Sequence, residues 1–274
     1  MPKNGKLLRL RRLSLAGDGR YLLVPLDHSV SDGPIVPAGQ WNSLVRDLVN
    51  GGADGIIVHK GRARALAPEI LKDCALVVHL SASTARSHDV HAKVLVGDAE
   101  EAVRLGADAV SVHVNIGSDT EAQQLADLGA VARSCETWGM PLIAMIYPRG
   151  PRIEDPHDPE LLAHVVNVAA DLGADLVKTS VALPVERMAE VVANSPLPVL
   201  TAGGPPDESD LIAYGTAVMA AGCRGLAVGR RIFNSPTPYA MVSRLSAVVH
   251  GREGITESTT ARTTDYSTIV AGVA

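Results

Sequence analysis

Apolar and polar positions alternate along this chain in two kinds of block. Short continuous runs rich in valine, isoleucine and leucine are separated by longer stretches in which apolar residues recur at helical spacing. The short runs predict parallel strands buried on both faces, and the longer stretches predict amphipathic helices. Strands are predicted at residues 22–26, 76–80, 142–147 and 198–202, and at the ends of segments 51–60, 105–113, 172–178 and 221–229.

Those last four segments repeat one junction between a helix and a strand. Each carries a glycine where the preceding helix should end and then passes directly into an apolar strand. About eight strands alternating with helices favour an α/β fold, a single (β/α)8 TIM barrel. An open doubly wound sheet would show the same local pattern, but no GxGxxG motif opens a first helix. Helices are predicted at residues 119–137, 158–172, 185–193 and 209–221.

The two ends of the chain depart from this pattern and divide it into three parts. Residues 1–20 are a basic extension containing leucines, which predicts a short amphipathic helix with a solvated basic face. This extension lacks the apolar core and the cleavage site of a signal peptide. Residues 21–250 are the predicted barrel. Residues 251–274 are polar and rich in threonine, which predicts a mobile tail or an oligomer contact.

Composition narrows the class of partner. The net charge of -5 and pI near 6.0 argue against nucleic acid or a membrane surface as partner, because both call for a basic face. Cys74, Cys135 and Cys223 lie far apart without CxxC spacing, so we expect neither a zinc site nor disulfides, and a reducing compartment. No apolar run approaches the length of a membrane span. We therefore expect a cytoplasmic protein that binds small molecules.

Polar residues collect at the predicted carboxyl ends of the strands. In a barrel of this type, the loops at those ends meet at one mouth, where active sites form. None of these residues is decisive alone, and their joint position is the evidence for a site. The candidates are Asp27, His28, His59, Lys60, His79, His113, Tyr147, Arg149, Lys178, Gly203, Gly204, Gly229 and Arg230.

Lys178 interrupts the buried run ADLVKTS. Desolvation favours the neutral amine, which is the nucleophilic form that condenses with a ketone to give a Schiff base. A second strand-end lysine, Lys60, would strengthen this effect if the two ammonium groups approached each other. The alternatives are a lysine that reaches solvent past the rim, or one that pairs with Asp27.

Two further side chains could carry protons at this mouth. Asp27 ends the strand LLVPLDH, where a carboxylate is costly unless it is paired or used. It could orient hydroxyl groups or accept a proton, and a salt bridge to Lys178 or Lys60 is the alternative. Tyr147 could move protons to and from a bound intermediate, or it could pack at the rim as an aromatic side chain.

The remaining candidates are expected to bind substrate. Each strand-end histidine, taken alone, is more simply explained by a hydrogen bond than by catalysis. A metal site is disfavoured because HxH and HxxxH spacings are absent, so we predict no metal and no cofactor. Candidate substrate contacts come from His28, Lys60, His113 and Arg149.

Glycines follow the last two predicted strands, where barrels commonly bind phosphate. Gly203-Gly204 would offer exposed backbone N–H groups, and Gly229-Arg230 would add a guanidinium. Turn glycines with no ligand are the alternative. The pairing of the two motifs on consecutive strands favours a phosphate site.

Eight motifs occur in the order found in the class I aldolases of the archaeal-type fructose-bisphosphate aldolase family. The chain resembles this family, and more closely its aminodideoxyheptulosonate synthase branch, from about the first strand to Val249. The resemblance implies that Lys178 forms the Schiff base, that Tyr147 is the acid/base and that Asp27 assists proton transfer. It also implies a homo-oligomer. The motifs are VPLDHSVSDGP, VHKG, HLSAST, GADAVSVHVNIGS, WGMPLIAMIYPRG, GADLVKTS, AGGP and VGRRIF.

The resemblance also indicates substrates. DHSVSDGP and HLSAST are similar to actinobacterial synthases that join aspartate 4-semialdehyde to dihydroxyacetone phosphate, giving a seven-carbon precursor of aminohydroxybenzoate. The alternatives are the archaeal synthase of the dehydroquinate route, fructose-bisphosphate aldolase, and a barrel that senses a sugar phosphate without turnover. Val181-Ala-Leu-Pro184 replaces a more polar, glycine-containing loop of the family, which leaves the acceptor open.

Overall fold

Eight parallel strands close into a barrel in the computed structural model, which describes residues 3–203 and 210–252. Strands next to each other in the barrel follow the chain order, and the first pairs with the last. The predicted TIM barrel is therefore confirmed. The strands are Tyr21–Pro25 (β1), Gly55–Val58 (β2), Ala75–His79 (β3), Ala109–Ile116 (β4), Leu142–Pro148 (β5), Leu176–Thr179 (β6), Val199–Ala202 (β7) and Gly225–Ala227 (β8).

Helices surround the barrel and cover its outer face. The predicted helix at 185–193 is a 3-10 turn, Val185–Arg187, followed directly by a short α-helix. The other predicted helices are confirmed with ends shifted by one or two residues. The helices are Lys3–Arg12 (α1), Trp41–Asn50 (α2), Lys60–Arg64 (α3), Ala99–Arg104 (α4), Glu121–Trp138 (α5), Pro159–Asp171 (α6), Met188–Ala193 (α7), Leu211–Ala220 (α8), Arg230–Phe233 (α9) and Pro238–His250 (α10).

Alternation along the strands divides the apolar side chains into two cores. One set packs between strands and helices, and the other fills the inside of the barrel, which explains why the strands read as continuous apolar runs. Burial of each large aliphatic side chain contributes about 1.5–3 kcal/mol to the stability of the folded state. The inner core consists of Leu13, Tyr21, Leu23, Ile57, Ala75, Val77, Ala109, Ile143, Met145, Tyr147, Leu176, Leu200 and Ala227.

The N-terminal helix α1 is bonded to the bottom of the barrel. Lys6 Nζ lies 2.9 Å from Asp175 Oδ1, and Arg12 Nε lies 2.5 Å from Asp108 Oδ1. Leu13, just after α1, is fully buried in the inner core. The predicted solvated basic face was therefore wrong for Lys6, which is mostly buried, whereas Arg12 pairs with its carboxylate and stays exposed. The carboxylates that bind them come from the strand junctions, which a local reading of residues 1–20 does not include.

The aspartates of the Gly-Ala-Asp junctions tie neighbouring strands together at the same end. Asp54 Oδ2 accepts a hydrogen bond from the backbone N of Leu22 at 2.7 Å. Asp108 accepts an equivalent hydrogen bond from the backbone N of Leu76 in β3 at 3.0 Å, and Asp175 accepts one from the backbone N of Leu142 in β5 at 2.8 Å. Buried carboxylates persist only where such partners satisfy them. These aspartates are therefore structural.

A small insertion after β3 was not anticipated. Two short antiparallel strands, Ser81–Ala82 and Val94–Leu95, form a hairpin between β3 and α4 at the mouth of the barrel. We call residues 80–98 the β3 hairpin. Its strands are too short to show a period-two pattern, so the sequence pattern did not reveal it.

The structure also bears on the predictions for the C-terminal tail, the cysteines and membrane-spanning segments. Nearly all of the predicted C-terminal tail, 253–274, lies outside the described residues. Cys74, Cys135 and Cys223 are buried free thiols. Within 3–203 and 210–252, the helices are all too short or too polar to cross a membrane.

Candidate active site

The alternation of the barrel strands continues past their carboxyl ends and builds the mouth. A residue two positions beyond an inner-core residue faces the same inward side. The predicted site residues on β2, β3, β5 and β6 therefore converge above the inner core. The side chains placed there are His59, His79, Tyr147 and Lys178, two positions after Ile57, Val77, Met145 and Leu176.

Lys178 lies on β6 and is only 9% exposed. The strand register aligns it with Met145 of β5 and with Leu200 of β7, both of the inner core. Its amine makes no ion pair with any carboxylate of residues 3–203 and 210–252. Neither alternative, a solvated lysine or one paired with Asp27, describes this arrangement.

Asp27 follows β1 and is surrounded by cationic or titratable groups. Burial by itself would raise its pKa, but His79, His28 and Lys178 outweigh that effect and lower it. Asp27 is therefore ionised at neutral pH. Its Oδ2 lies 3.7 Å from His79 Nε2, and its Oδ1 is buried without a hydrogen-bond partner. His28 Nδ1 lies 3.5 Å from this Oδ1 without a hydrogen bond, so the ionised carboxylate keeps an acceptor atom that can receive a proton or a substrate hydroxyl.

His79, the last residue of β3, lies next to Asp27. Its Nδ1 lies 2.8 Å from Ser111 Oγ on β4, and its ring centroid lies 5.2 Å from that of His59. Burial lowers the pKa of His79 to about 4, although Asp27 opposes the shift. The imidazole is therefore neutral at pH 7. The predicted hydrogen-bonded histidine is confirmed here.

Tyr147 lies at the end of β5, the strand next to Lys178, and is 5% exposed. The centroid of its ring is 5.0 Å from the ring centroid of His113. The guanidinium carbon of Arg149 lies 4.8 Å from the same Tyr147 centroid. His113 Nε2 in turn contacts Asn115 Oδ1 at 2.8 Å. The structure therefore brings the predicted residues of β4 and β5 together beside Lys178.

Lys60 lies apart from this cluster. It begins α3, and its Nζ donates to Glu101 Oε2 of α4 at 2.9 Å. The hypothesis that Lys60 and Lys178 repel each other was therefore wrong. α3 begins directly after the inward-facing His59, and Lys60 there meets a carboxylate of the helical layer.

A different lysine, Lys93 of the β3 hairpin, lies at the mouth. Burial lowers the pKa of Lys93, and Arg149 lowers it further, while Asp27 and Asp32 oppose the shift. Sequence reasoning missed this residue because it follows no barrel strand. The one available signal was a lysine in an otherwise apolar run, AKVLV.

Gly229 and Arg230 lie on the opposite side of the mouth, after β8. A Cβ on Gly229 would lie 2.6 Å from both the Pro25 carbonyl oxygen and His28 Cε1, so only glycine fits there. The Arg230 side chain is 70% exposed and approaches Asp32 at 3.8 Å. Gly203 directly follows β7, and Gly204 lies outside the described residues.

An open cleft of about 530 Å³ adjoins this mouth between the β1 loop and the β3 hairpin. The backbone N of Ala85 donates to the Ser31 carbonyl at 3.1 Å and joins the two loops. The cleft leads from solvent toward Asp32. Its lining residues are Ser29, Val30, Ser31, Asp32, Gly33, Thr84, Ala85 and Arg86.

Comparison with known proteins adds family evidence to this geometry. Residues 21–235 match the model of the DeoC/LacD family aldolase. The chain belongs to this family. It is therefore an aldolase, and the barrel described above is the family's catalytic scaffold.

Two curated relatives match this aldolase over most of their length. A 2-amino-4,5-dihydroxy-6-oxo-7-(phosphonooxy)heptanoate synthase of Streptomyces griseus is 51% identical over 245 residues, covering 89% of each chain. A 2-amino-3,7-dideoxy-D-threo-hept-6-ulosonate synthase of Halobacterium salinarum is 40% identical over 252 residues, covering 91% of this chain and 93% of that one.

Solved structures show the same relationship. A Schiff base forming fructose-1,6-bisphosphate aldolase superposes with a TM-score of 0.81 at 25% identity, covering 90% of this chain and all of that one. In the structure of an archaeal fructose-1,6-bisphosphate aldolase, the catalytic lysine is covalently bound to the carbinolamine intermediate of the substrate. It superposes with a TM-score of 0.77 at 25% identity, covering 90% of this chain and 98% of that one. The aldolases similar to this one thus include enzymes that bind substrate covalently through lysine.

Proposed function

We propose that this aldolase joins dihydroxyacetone phosphate to aspartate 4-semialdehyde through a Schiff base on Lys178. The product is a seven-carbon amino-keto acid phosphate, a precursor of aminohydroxybenzoate. The single observation that carries the proposal is a buried inward-facing lysine on β6, unpaired among the described residues, with Tyr147 on the adjacent strand and the ionised Asp27 nearby. The 51% identical Streptomyces griseus synthase supports the choice of product.

The reaction begins when the Lys178 amine attacks the donor ketone and water is lost, giving an iminium. The iminium withdraws electrons from the adjacent carbon, so Tyr147, assisted by Asp27, removes a proton there and leaves an enamine. The enamine carbon attacks the acceptor aldehyde, whose oxygen takes a proton. Hydrolysis of the new iminium releases the product and restores the amine. Each step uses side chains of this chain alone.

The donor phosphate is assigned to the β7–β8 side of the mouth. Gly203, Gly229 and Arg230 lie there, and the exposed Arg230 guanidinium is held only loosely by Asp32. A phosphate would bind such a guanidinium more strongly than the carboxylate at 3.8 Å. Gly204 belongs to the same proposal.

A second candidate differs only in the donor. The 40% identical relative of Halobacterium salinarum is a 2-amino-3,7-dideoxy-D-threo-hept-6-ulosonate synthase, and a deoxyketohexose phosphate would supply the donor carbons for such a product. The same Lys178 would act on either donor. Product mass after incubation with each ketose phosphate and aspartate 4-semialdehyde separates the two.

Location and assembly complete the proposal. The barrel, residues 21–250, carries the chemistry, with residues 1–20 and 251–274 as extensions. We expect a cytoplasmic homo-oligomer that does not bind nucleic acid, in keeping with the net charge of -5.

Borohydride trapping tests the nucleophile. Reduction in the presence of dihydroxyacetone phosphate is expected to add the donor's mass to the peptide that contains Lys178, because borohydride reduces an iminium to a stable amine. Lys178→Met should abolish the adduct, and the matched variant Lys60→Met should retain it. An adduct on Lys60 alone, or none with any ketose phosphate, would contradict the assignment.

A further inference from the structure

Two basic side chains share the β3–β5 side of the mouth. Arg149 follows β5, and Lys93 comes from the β3 hairpin. Neither forms an ion pair with a carboxylate among residues 3–203 and 210–252. Arg149 is positioned by the Tyr147 ring, 4.8 Å from its guanidinium carbon. The two cations are therefore available to a ligand.

Buried amides hold the hairpin in the position that brings Lys93 to the mouth. The His91 carbonyl accepts hydrogen bonds from Asn115 Nδ2 at 2.8 Å and from Gln124 Nε2 at 2.9 Å. Asn115 and Gln124 are 0% and 1% exposed. Lys93, two residues later, is therefore positioned by the barrel wall.

Contacts within the hairpin orient the ammonium group itself. Lys93 Nζ donates to the Val90 carbonyl at 3.3 Å and to Ser83 Oγ. Both partners are neutral, so they orient the charge without neutralising it. A side chain held in this way loses little further entropy when it binds a ligand.

The electrostatics favour an anion between these two groups. Arg149 lowers the pKa of Lys93 beyond the effect of burial, and both side chains, Lys93 the more strongly, hold the pKa of buried His113 further below its ordinary value. Lys93 is half-buried and Arg149 is exposed, and an anion that binds both relieves the repulsion between the two like charges. The geometry therefore favours an anion-binding subsite.

The position of this subsite fits the acceptor rather than the donor. Lys178 lies on β6, between β5 with Arg149 and β7 with the proposed phosphate side. A donor held at β7–β8 and bonded to Lys178 leaves the β5 side for the second substrate. The charged end of that substrate would meet Arg149 and Lys93.

We propose that Lys93 and Arg149 form the subsite that binds the carboxylate of the acceptor aldehyde. This inference rests on the proposed function, which supplies an amino-acid aldehyde as acceptor. It makes the β3 hairpin the element that selects anionic acceptors. A phosphate on the acceptor has related chemistry, and the test below separates it from a carboxylate.

The test compares two aldehydes that differ only in the carboxylate. Aspartate 4-semialdehyde has it, and 3-aminopropanal lacks it. Lys93→Met should raise KM for aspartate 4-semialdehyde about tenfold, which corresponds to about 1.4 kcal/mol. KM for 3-aminopropanal and borohydride trapping of dihydroxyacetone phosphate should stay unchanged. Lys93→Arg should restore most of the binding, and Lys72→Met, which removes an exposed lysine elsewhere, should have no effect.

Each other outcome overturns a specific statement. Equal increases of KM for both aldehydes would show that Lys93 only holds the hairpin in place. A larger effect on glyceraldehyde 3-phosphate than on aspartate 4-semialdehyde would make this a phosphate subsite. Unchanged KM with normal trapping would reject the subsite and leave the proposed function intact. If the wild-type protein forms neither Schiff base nor product, the proposed function fails, and the subsite fails with it.

Discussion

Lys178 and Lys60 both lie near the carboxyl ends of barrel strands, Lys178 on β6 and Lys60 at the start of α3, yet their amines have different surroundings. Lys178 lies inward beside Tyr147 and Asp27, whereas Lys60 lies outward and pairs with Glu101. An inward position on β6 makes Lys178 a buried candidate nucleophile, whereas a position at the start of α3 leaves Lys60 in a partly exposed ion pair. Residue type alone therefore does not identify the reactive lysine.

Tyr147→Phe tests proton transfer at this scale. The variant should slow turnover roughly a hundredfold or more, the range for a positioned acid/base, because the ring still packs but the hydroxyl is lost. Borohydride trapping at Lys178 should persist, with some slowing, since carbinolamine dehydration also moves protons. Single-turnover trapping and steady-state rates measure the two effects. Turnover at the wild-type rate would leave Tyr147 as a packing residue and make Asp27 the leading base.

At the scale of elements, one of the two buried amides that hold the β3 hairpin also joins it to a helix. Gln124 of α5 accepts a hydrogen bond from the backbone N of Asn115 at 2.8 Å and donates to the His91 carbonyl. It thereby joins helix, barrel strand and hairpin. These polar contacts add to the apolar packing of Leu80 and Leu95 against the core.

Gln124→Leu should destabilise the fold by about 1–3 kcal/mol, because it leaves buried polar groups of the strand and the hairpin without partners. The neighbouring variant Gln123→Leu removes an exposed amide and should change stability by less than about 0.5 kcal/mol. Urea unfolding measures both free energies. Hydrogen exchange should also show faster exchange in the hairpin of Gln124→Leu. Equal stability of the two variants would contradict the role given to Gln124.

At the scale of the whole molecule, His250 connects the end of α10 to the start of the barrel. Its ring nitrogens lie 2.9 Å from Asp18 Oδ2 and 3.1 Å from Asp54 Oδ2, and the side chain is 3% exposed. The hydrogen bond with Asp54 is the main cause of a raised pKa for His250, and the bond with Asp18 adds to it. The charged imidazole therefore stabilises the closed bottom of the barrel.

The stability from His250 should depend on pH. A histidine whose pKa is raised on folding stabilises fully below its unfolded pKa, about 6.5, and this contribution is lost as pH rises through the higher folded value. The difference in Tm between wild type and His250→Gln should therefore be larger at pH 6 than at pH 9. Thermal unfolding of both proteins across that range measures it. A difference independent of pH would show that His250 acts through packing alone.

The sequence by itself determined the barrel, the strand ends and most residues of the mouth. These features follow from local rules: apolar period, glycine at helix ends, and a polar residue directly after an apolar run. Lys178, Tyr147 and Asp27 all belong to this class, since each ends or follows a strand that is recognisable in isolation.

Only the tertiary structure decided which side chains meet. It placed Lys93 at the mouth instead of Lys60, and bonded Lys6 and Arg12 to aspartates at the bottom of the barrel. Those pairings join residues far apart in the chain, so no local pattern records them. They depend on barrel closure and on the one-residue register that turns a side chain inward or outward.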